Sequence, residues 1–356
     1  MKRESNIELM RIIFIYGVVI YHAISYTGLF YTEYAAGLPL SFVGSSIYAE
    51  TGVYGFMSIS AYYLIKKDDN NVFCRFVPFA FQAGILFLLR YWVVDYFFGV
   101  NNIKGGLLED FFLKGAWWYV VAYEFILLVF PIYNRIIKNW DNGRLKRILL
   151  VLGILCVISE LIYYPNVLSD IECVSFTYFM VGYVEKNKFN FFTSRKKLIL
   201  GFFILVTVLH LNICFIEYSG LFSDAQLAYQ IILRYTGKNS LLYIFCGIFM
   251  FYLFKAIPMK QNPIINRLSG GVLYLFLLHE SVLCALWSLG FLTSDTKEMG
   301  LGTTYLRIAV YVILCAVTCY VIRLVFSPVD RFIRKKTMEC YKGFLALKER
   351  RENCEK

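Results

Sequence analysis

The sequence predicts an all-α polytopic membrane protein with about ten transmembrane helices and both termini in the cytoplasm. Three observations carry that expectation. The chain has 356 residues and is 59% hydrophobic, above the roughly 45–50% of a soluble domain. Its apolar residues fall in repeated runs of about 18–25, the length that crosses a bilayer as a helix. Its Lys and Arg residues alternate between heavy and light loops, a pattern that fits an even number of crossings.

The runs follow in order. Residues 9–29 come first, and they are too long and too closely followed by further spans to be a cleaved signal peptide. Residues 42–65 close on Lys66 and Lys67. Residues 76–98 open after Arg75, with Pro78 in the first turn, where its missing N–H would go unbonded in any case. Residues 116–137 begin on Trp117-Trp118-Tyr119, an interface anchor. Residues 147–164 and 198–216 follow basic loops, and 171–186, a short run, lies between them. Segment 226–238 is ambiguous and reads as a partial helix at the surface. Runs 239–257, 268–290 and 304–325 complete the ten. The chain divides into a transmembrane domain, residues 1–326, and a basic cytoplasmic tail, 327–356. The tail is either a helix along the anionic inner leaflet or a solvated extension.

With the N-terminus inside, the cytoplasmic loops and termini hold 29 of the 36 Lys and Arg residues. The other side holds six: Lys104, Lys114, Arg234, Lys238, Lys297 and Arg307. Arg90 lies within a span. The net charge of +11 therefore follows membrane topology and gives no sign of a nucleic-acid partner. The ten cysteines show no C-x-x-C pair and no evenly spaced set in one loop, and they read as small apolar packers. Walker loops, dinucleotide fingerprints, nucleophile elbows and metal-spaced Cys/His sets are absent from the sequence. No metal is expected.

What remains is a set of ionisable groups inside apolar runs, where they are costly and tend to mark function. His22 lies eleven residues after Arg11 on the first span, roughly 16 Å further along a helix. It is the candidate base. Arg90 needs a carboxylate, and Glu124 and Glu50 are the candidates. His279 and Glu280 sit halfway along the ninth span, as second-rank candidates. His210 has no ionisable neighbour in sequence and reads as structural. Arg11, Arg75, Lys66 and Lys67 gather at the predicted cytoplasmic face, either as topology charge or as an anion site. Arginine suits phosphate because its planar fork bonds two oxygens.

Several of these pieces occur together in one known family. Arg3-Glu-Ser-Asn-Ile-Glu-Leu-Met-Arg11 running into Tyr21-His22 carries an Arg-x10-His spacing. Gly55-Phe-Met-Ser-Ile-Ser-Ala, Trp118-Tyr-Val-Val-Ala-Tyr, Phe179-Met-Val-Gly-Tyr and Tyr274-Leu-Phe-Leu-Leu-His279 follow in order. The chain resembles the acyltransferase family 3 membrane proteins, bacterial O-acyltransferases that modify surface polysaccharides. It departs from the pattern at two points. Ala61 follows Ser60 where Gly is usual, and Val72 stands where the first arginine of Arg-x-x-Arg would be, with Lys66 or Lys67 as the nearest substitute.

The resemblance implies an enzyme of the inner or plasma membrane. It would move an acyl group, acetyl first among the choices, from acetyl-CoA or another acyl-CoA to a sugar hydroxyl. Arg11 and Arg75 would hold the coenzyme. His22 would act as general base or as a transient acyl carrier, Glu124 or Glu50 would orient it, and Arg90 would face the oxyanion. The expected partners are acyl-CoA, a polysaccharide or lipid-linked sugar, the bilayer and, as an option, a second copy in a homodimer. The rival reading is a carrier or flippase of a lipid-linked sugar without acyl chemistry.

Overall fold

A computed structural model describes residues 4–26, 44–66, 71–90, 118–162, 167–218, 240–288 and 301–354. Each of the ten apolar runs is helical over most of its described residues, and among the described residues no strand occurs. The helices are α1 (Ser5–Tyr26), α2 (Gly44–Ile65), α3 (Phe73–Leu89), α4 (Trp118–Asn139), α5 (Asn142–Ile162) and α6 (Val167–Asn187). They continue with the short α7 (Asn190–Thr193), α8 (Arg195–Tyr218), α9 (Leu241–Lys255), the short α10 (Pro263–Leu268), α11 (Val272–Ser288) and α12 (Leu301–Cys354). Residues 5–24, 118–139 and 305–344 are long and apolar enough to cross a membrane by length and composition, and α3 and α9 are shorter apolar helices. Segment 226–238 and Lys104, Lys114, Arg234, Lys238 and Lys297 lie outside the described residues.

The burial pattern separates inner from outer helices. α2 packs on α1, α6 and α9 and forms the centre, with Tyr54, Met57, Ile59 and Ala61 fully or almost fully buried. α5, α8 and α12 instead expose apolar stripes, among them Leu150, Val151 and Ile154 on α5 and Leu200, Phe203 and Ile204 on α8. Such continuous exposed apolar faces suit lipid, since soluble monomers rarely leave large apolar patches in water. The centre is held by close approach. A Cβ on Gly247 of α9 would stand 2.7 Å from the Gly55 nitrogen and 2.8 Å from the Tyr54 carbonyl carbon of α2. Small residues permit this backbone contact, which does much of the work of helix association in lipid.

One end of the bundle gathers the loops that the charge pattern assigns to a single side. Asn6 donates its side-chain amide to the carbonyls of Phe254 (3.0 Å), Lys255 (3.3 Å) and Ile257 (3.2 Å), at the end of α9. Ser5 bonds Asn266 Oδ1 at 3.0 Å and accepts from the Asn262 N–H at 2.8 Å. Lys186 Nζ donates to the Ile137 carbonyl in the last turn of α4 and to the Trp140 carbonyl just beyond it, and Lys255 pairs with Glu185 at 2.6 Å. These bonds satisfy carbonyls that helix ends leave without partners. Asn6→Ala leaves the end of α9 short of a donor. The expected cost is about 1–3 kcal/mol, read as a lower thermal midpoint of the purified protein in detergent. An unchanged midpoint would show that water replaces the amide without loss.

Several boundaries shift by a few residues from the sequence expectation, and two of the shifts have a clear local reason. α5 starts at Asn142, five residues early, because Asp141 Oδ1 accepts from the Arg144 N–H at 2.9 Å and caps the helix. That backbone bond also holds the Asp141 carboxyl below the usual carboxylate range. α12 does not stop at 325 but runs 54 residues through Pro328. Proline cannot bond the carbonyl four residues back; here the Ser327 hydroxyl donates to Leu324 O at 3.1 Å instead. The predicted tail is thus the second half of α12.

Candidate active site

α1 packs against α11, and that contact brings the two candidate histidines together. The rings of His22 and His279 meet edge to face with centroids 4.8 Å apart. Glu280, one residue after His279, places Oε1 3.5 Å from His22 Nδ1. Its other oxygen, Oε2, lies 3.8 Å from Arg90 Nη1 at the end of α3. The result is a line, His22–Glu280–Arg90, with one carboxylate between an imidazole and a guanidinium.

The two imidazoles are not equivalent. His279 is 5% exposed, and its Nδ1 lies 2.8 Å from Phe276 O and 3.1 Å from Leu275 O. A carbonyl only accepts, so Nδ1 carries the proton and Nε2 carries a lone pair. That Nε2 is buried and has no hydrogen-bond partner among the described residues. His22 instead turns Nδ1 toward a carboxylate, the arrangement that orients an imidazole for proton transfer at its other nitrogen.

The pairing of Arg90 with Glu124 or Glu50 that the sequence suggested is not the one that forms. Arg90 faces Glu280, not Glu124 or Glu50. Glu124 on α4 makes no ion pair or hydrogen bond among the described residues. Glu50 on α2 lies within electrostatic reach of Tyr54, as does Asp170 of α6, in a different part of the bundle core. His210 bonds the Val206 carbonyl of its own helix at 2.8 Å, as a structural histidine does.

A cavity of about 430 Å³ opens at the end of the bundle that carries the basic loops. Arg11, Arg75 and Arg334 line its mouth, while Phe56, Tyr119 and Phe276 line its inner end. Arg11 pairs with Glu8 at 3.4 Å, and the Arg75 guanidinium lies over the Phe130 ring at 5.2 Å. Lys66 bonds Tyr62 and lines a different cavity, so it does not stand in for the arginine missing at Val72; Lys67 lies outside the described residues. Phe276 packs on Tyr119 (5.1 Å between centroids), Phe56 (6.2 Å) and His279 (6.2 Å). This aromatic layer joins the cavity lining to His279, whose ring in turn meets that of His22.

Sequence reasoning missed Arg334, Gln82 and Asp330. Tyr274 was read only as motif context. Asp330 accepts from Gln82 Nε2 on α3 at 3.1 Å and from the Tyr274 hydroxyl on α11. The signal was a spacing of 330, 334, 337 and 338, one face of a helix, hidden in a stretch read as a tail.

The donor atoms of His22, His279 and Glu280 lie within 4.8 Å of one another, and these types can ligate a divalent cation. Arg90 beside Glu280 works against a second positive charge at that place.

Glu280→Gln keeps the shape of the line but removes its negative charge. The expected result is a fall in activity of about 10²-fold, less than that expected on removal of His22. Wild-type turnover in that variant would show that the carboxylate only packs.

A family model described as an acyltransferase domain matches residues 4–325 of the chain. No curated protein and no solved structure matches it.

Proposed function

We propose, since this chain belongs to the acyltransferase family 3 membrane proteins, that it moves an acyl group from acyl-CoA to a sugar hydroxyl. Acetyl is the expected group. The acceptor is a cell-surface polysaccharide or its lipid-linked precursor, and the setting is the plasma membrane. One observation carries the reading: His22 is held by Glu280 at one end of a bundle interior whose other end opens through three arginines.

Coenzyme A is a cytoplasmic polyanion, and Arg11 and Arg75 meet its phosphates at the mouth of the cavity. From Arg11 to His22 the helix rises roughly 16 Å, comparable with an extended pantetheine arm. The arm runs past Ser60 and Tyr123 toward Phe276. Phe56 and Phe276 must turn aside to admit the thioester, so donor entry and opening of the aromatic layer are one event.

The acceptor hydroxyl attacks the thioester carbonyl carbon, and His22 Nε2 takes its proton. Glu280 accepts from Nδ1–H and balances the imidazolium that forms. The tetrahedral oxyanion is met by Arg90, whose five donors are not exhausted by one contact at 3.8 Å. The carbon–sulfur bond then breaks, and His22 returns its proton to the leaving thiolate. The buried lone pair of His279 Nε2 takes a hydrogen bond from the pantetheine amide or from a second hydroxyl of the sugar, and so sets the angle of approach.

The test uses membranes containing the full chain and acetyl-CoA labelled in the acetyl group. Label transferred to polysaccharide supports the reading. Movement of a lipid-linked sugar across the membrane with no label transferred would replace it with the carrier reading.

A further inference from the structure

We propose that the second half of α12, beyond the residues the family model matches, is part of the donor site. Arg334 joins Arg11 and Arg75 in holding the phosphates of the coenzyme A thioester, and the Asp330–Gln82–Tyr274 clamp positions it. The inference rests on the donor reading above and extends it to a stretch that sequence reasoning treated as a basic tail.

Three observations set Arg334 apart from the general run of basic residues near the C-terminus. The first is docking. Asp330, Arg334, Thr337 and Met338 follow the i, i+4, i+7, i+8 spacing of a single helix face. Asp330 is bonded to Gln82 and Tyr274, Thr337 is 6% exposed, and Met338 Sδ lies 4.0 Å from Cys74 Sγ at the start of α3. Contacts on both sides of Arg334 therefore pin this face to α3 and α11.

The second is place. Arg334 lines the same cavity as Arg11 and Arg75, and all three lie within electrostatic reach of Tyr123. The third is partnership. Lys335 and Lys336, its immediate neighbours, turn to solvent and meet Glu339 at 3.9 Å and 2.8 Å. Arg334 makes no ion pair or hydrogen bond among the described residues. Three guanidinium groups around one cavity repel one another, and a ligand with several phosphate charges relieves that repulsion.

A phosphate at this mouth has two sources, coenzyme A or an anionic lipid headgroup, and the experiment separates them. The full-length protein is placed in lipid discs of phosphatidylcholine alone, and in discs containing phosphatidylglycerol. Acetyl transfer is measured against acetyl-CoA concentration, and coenzyme A binding is measured by titration calorimetry. In phosphatidylcholine, Arg334→Gln is expected to raise KM and the coenzyme A Kd about ten- to hundredfold, the loss of one charge-assisted contact. Turnover at saturation stays within about twofold of wild type. Arg334→Lys recovers part of the loss, and Asp330→Ala loosens the clamp and raises KM less. Lys335→Gln with Lys336→Gln changes neither value.

If Arg334→Gln binds and transfers as wild type does in both discs, the inference is overturned while the donor reading stands. If its only defect is lost activation by phosphatidylglycerol, the phosphate belongs to lipid and the inference is again overturned. If the wild-type protein neither binds coenzyme A nor transfers acetyl, the donor reading fails first and takes the inference with it.

Discussion

Replacing His22 with alanine is expected to abolish acyl transfer and to leave the protein folded. The base is worth about 10²–10⁴-fold by itself, and its loss also strands Glu280 opposite Arg90 with no imidazole to orient. His279 cannot take over, because its Nδ1 is tied to the carbonyls of Leu275 and Phe276 and cannot reach back to a carboxylate. Folding is spared because α1 is anchored elsewhere. Met10, Phe14, Val18, Val19 and Ala23 supply its buried face, whereas the His22 side chain is 26% exposed. The measurement is acetyl transfer by equal amounts of wild type and His22→Ala, matched by membrane level and thermal midpoint. A fall of less than about tenfold would take His22 out of the chemistry. His22→Gln, which keeps a polar side chain but cannot accept and return a proton, is expected to be as inactive.

Gly247→Leu is expected to prevent assembly of the bundle. α2 and α9 cross there with backbone against backbone, so the atoms that a new side chain would meet are the main chain of Tyr54 and Gly55 and the Tyr54 Cβ, which no rotamer moves. No rotamer change relieves that overlap. The alanine variant should cost about 1–3 kcal/mol, the usual range for overpacking, and leucine more. The effect spreads, because α2 also carries α1 and α6. Displacing it moves α1, and with it His22. The readouts are the share of protein eluting as a single species in detergent and the thermal midpoint. Gly84 on α3 is the control, since a Cβ there meets nothing within 4 Å. Gly84→Ala should be neutral or slightly stabilising, because alanine is the better helix former by about 1 kcal/mol. A wild-type midpoint for Gly247→Ala would mean that the two helices separate without cost.

The parts of the fold that were legible in the chain are those that the bilayer dictates one segment at a time. A run of apolar residues must become a helix in lipid, since every backbone N–H and C=O needs a partner within the segment. The described parts of the ten runs are helical, and the described basic loops come together at one end. Errors appeared where a single side chain overruled hydropathy. Asp141 started α5 early, and the Ser327 hydroxyl let α12 pass Pro328.

The site was half legible, and the division follows distance along the chain. Arg11 and His22 share one helix, so their spacing was readable as a rise per residue. His279 and Glu280 were visible as charges where charge is costly. Glu280 as the partner of both His22 and Arg90, the aromatic layer at Phe276, and Arg334 at the mouth came only from packing. Those contacts join α1, α3, α11 and α12, and they depend on how each helix is rotated and where it crosses its neighbours. A helix that is apolar around most of its circumference records little of that rotation in its sequence. Close-packed side chains and the few hydrogen bonds between helices set it instead.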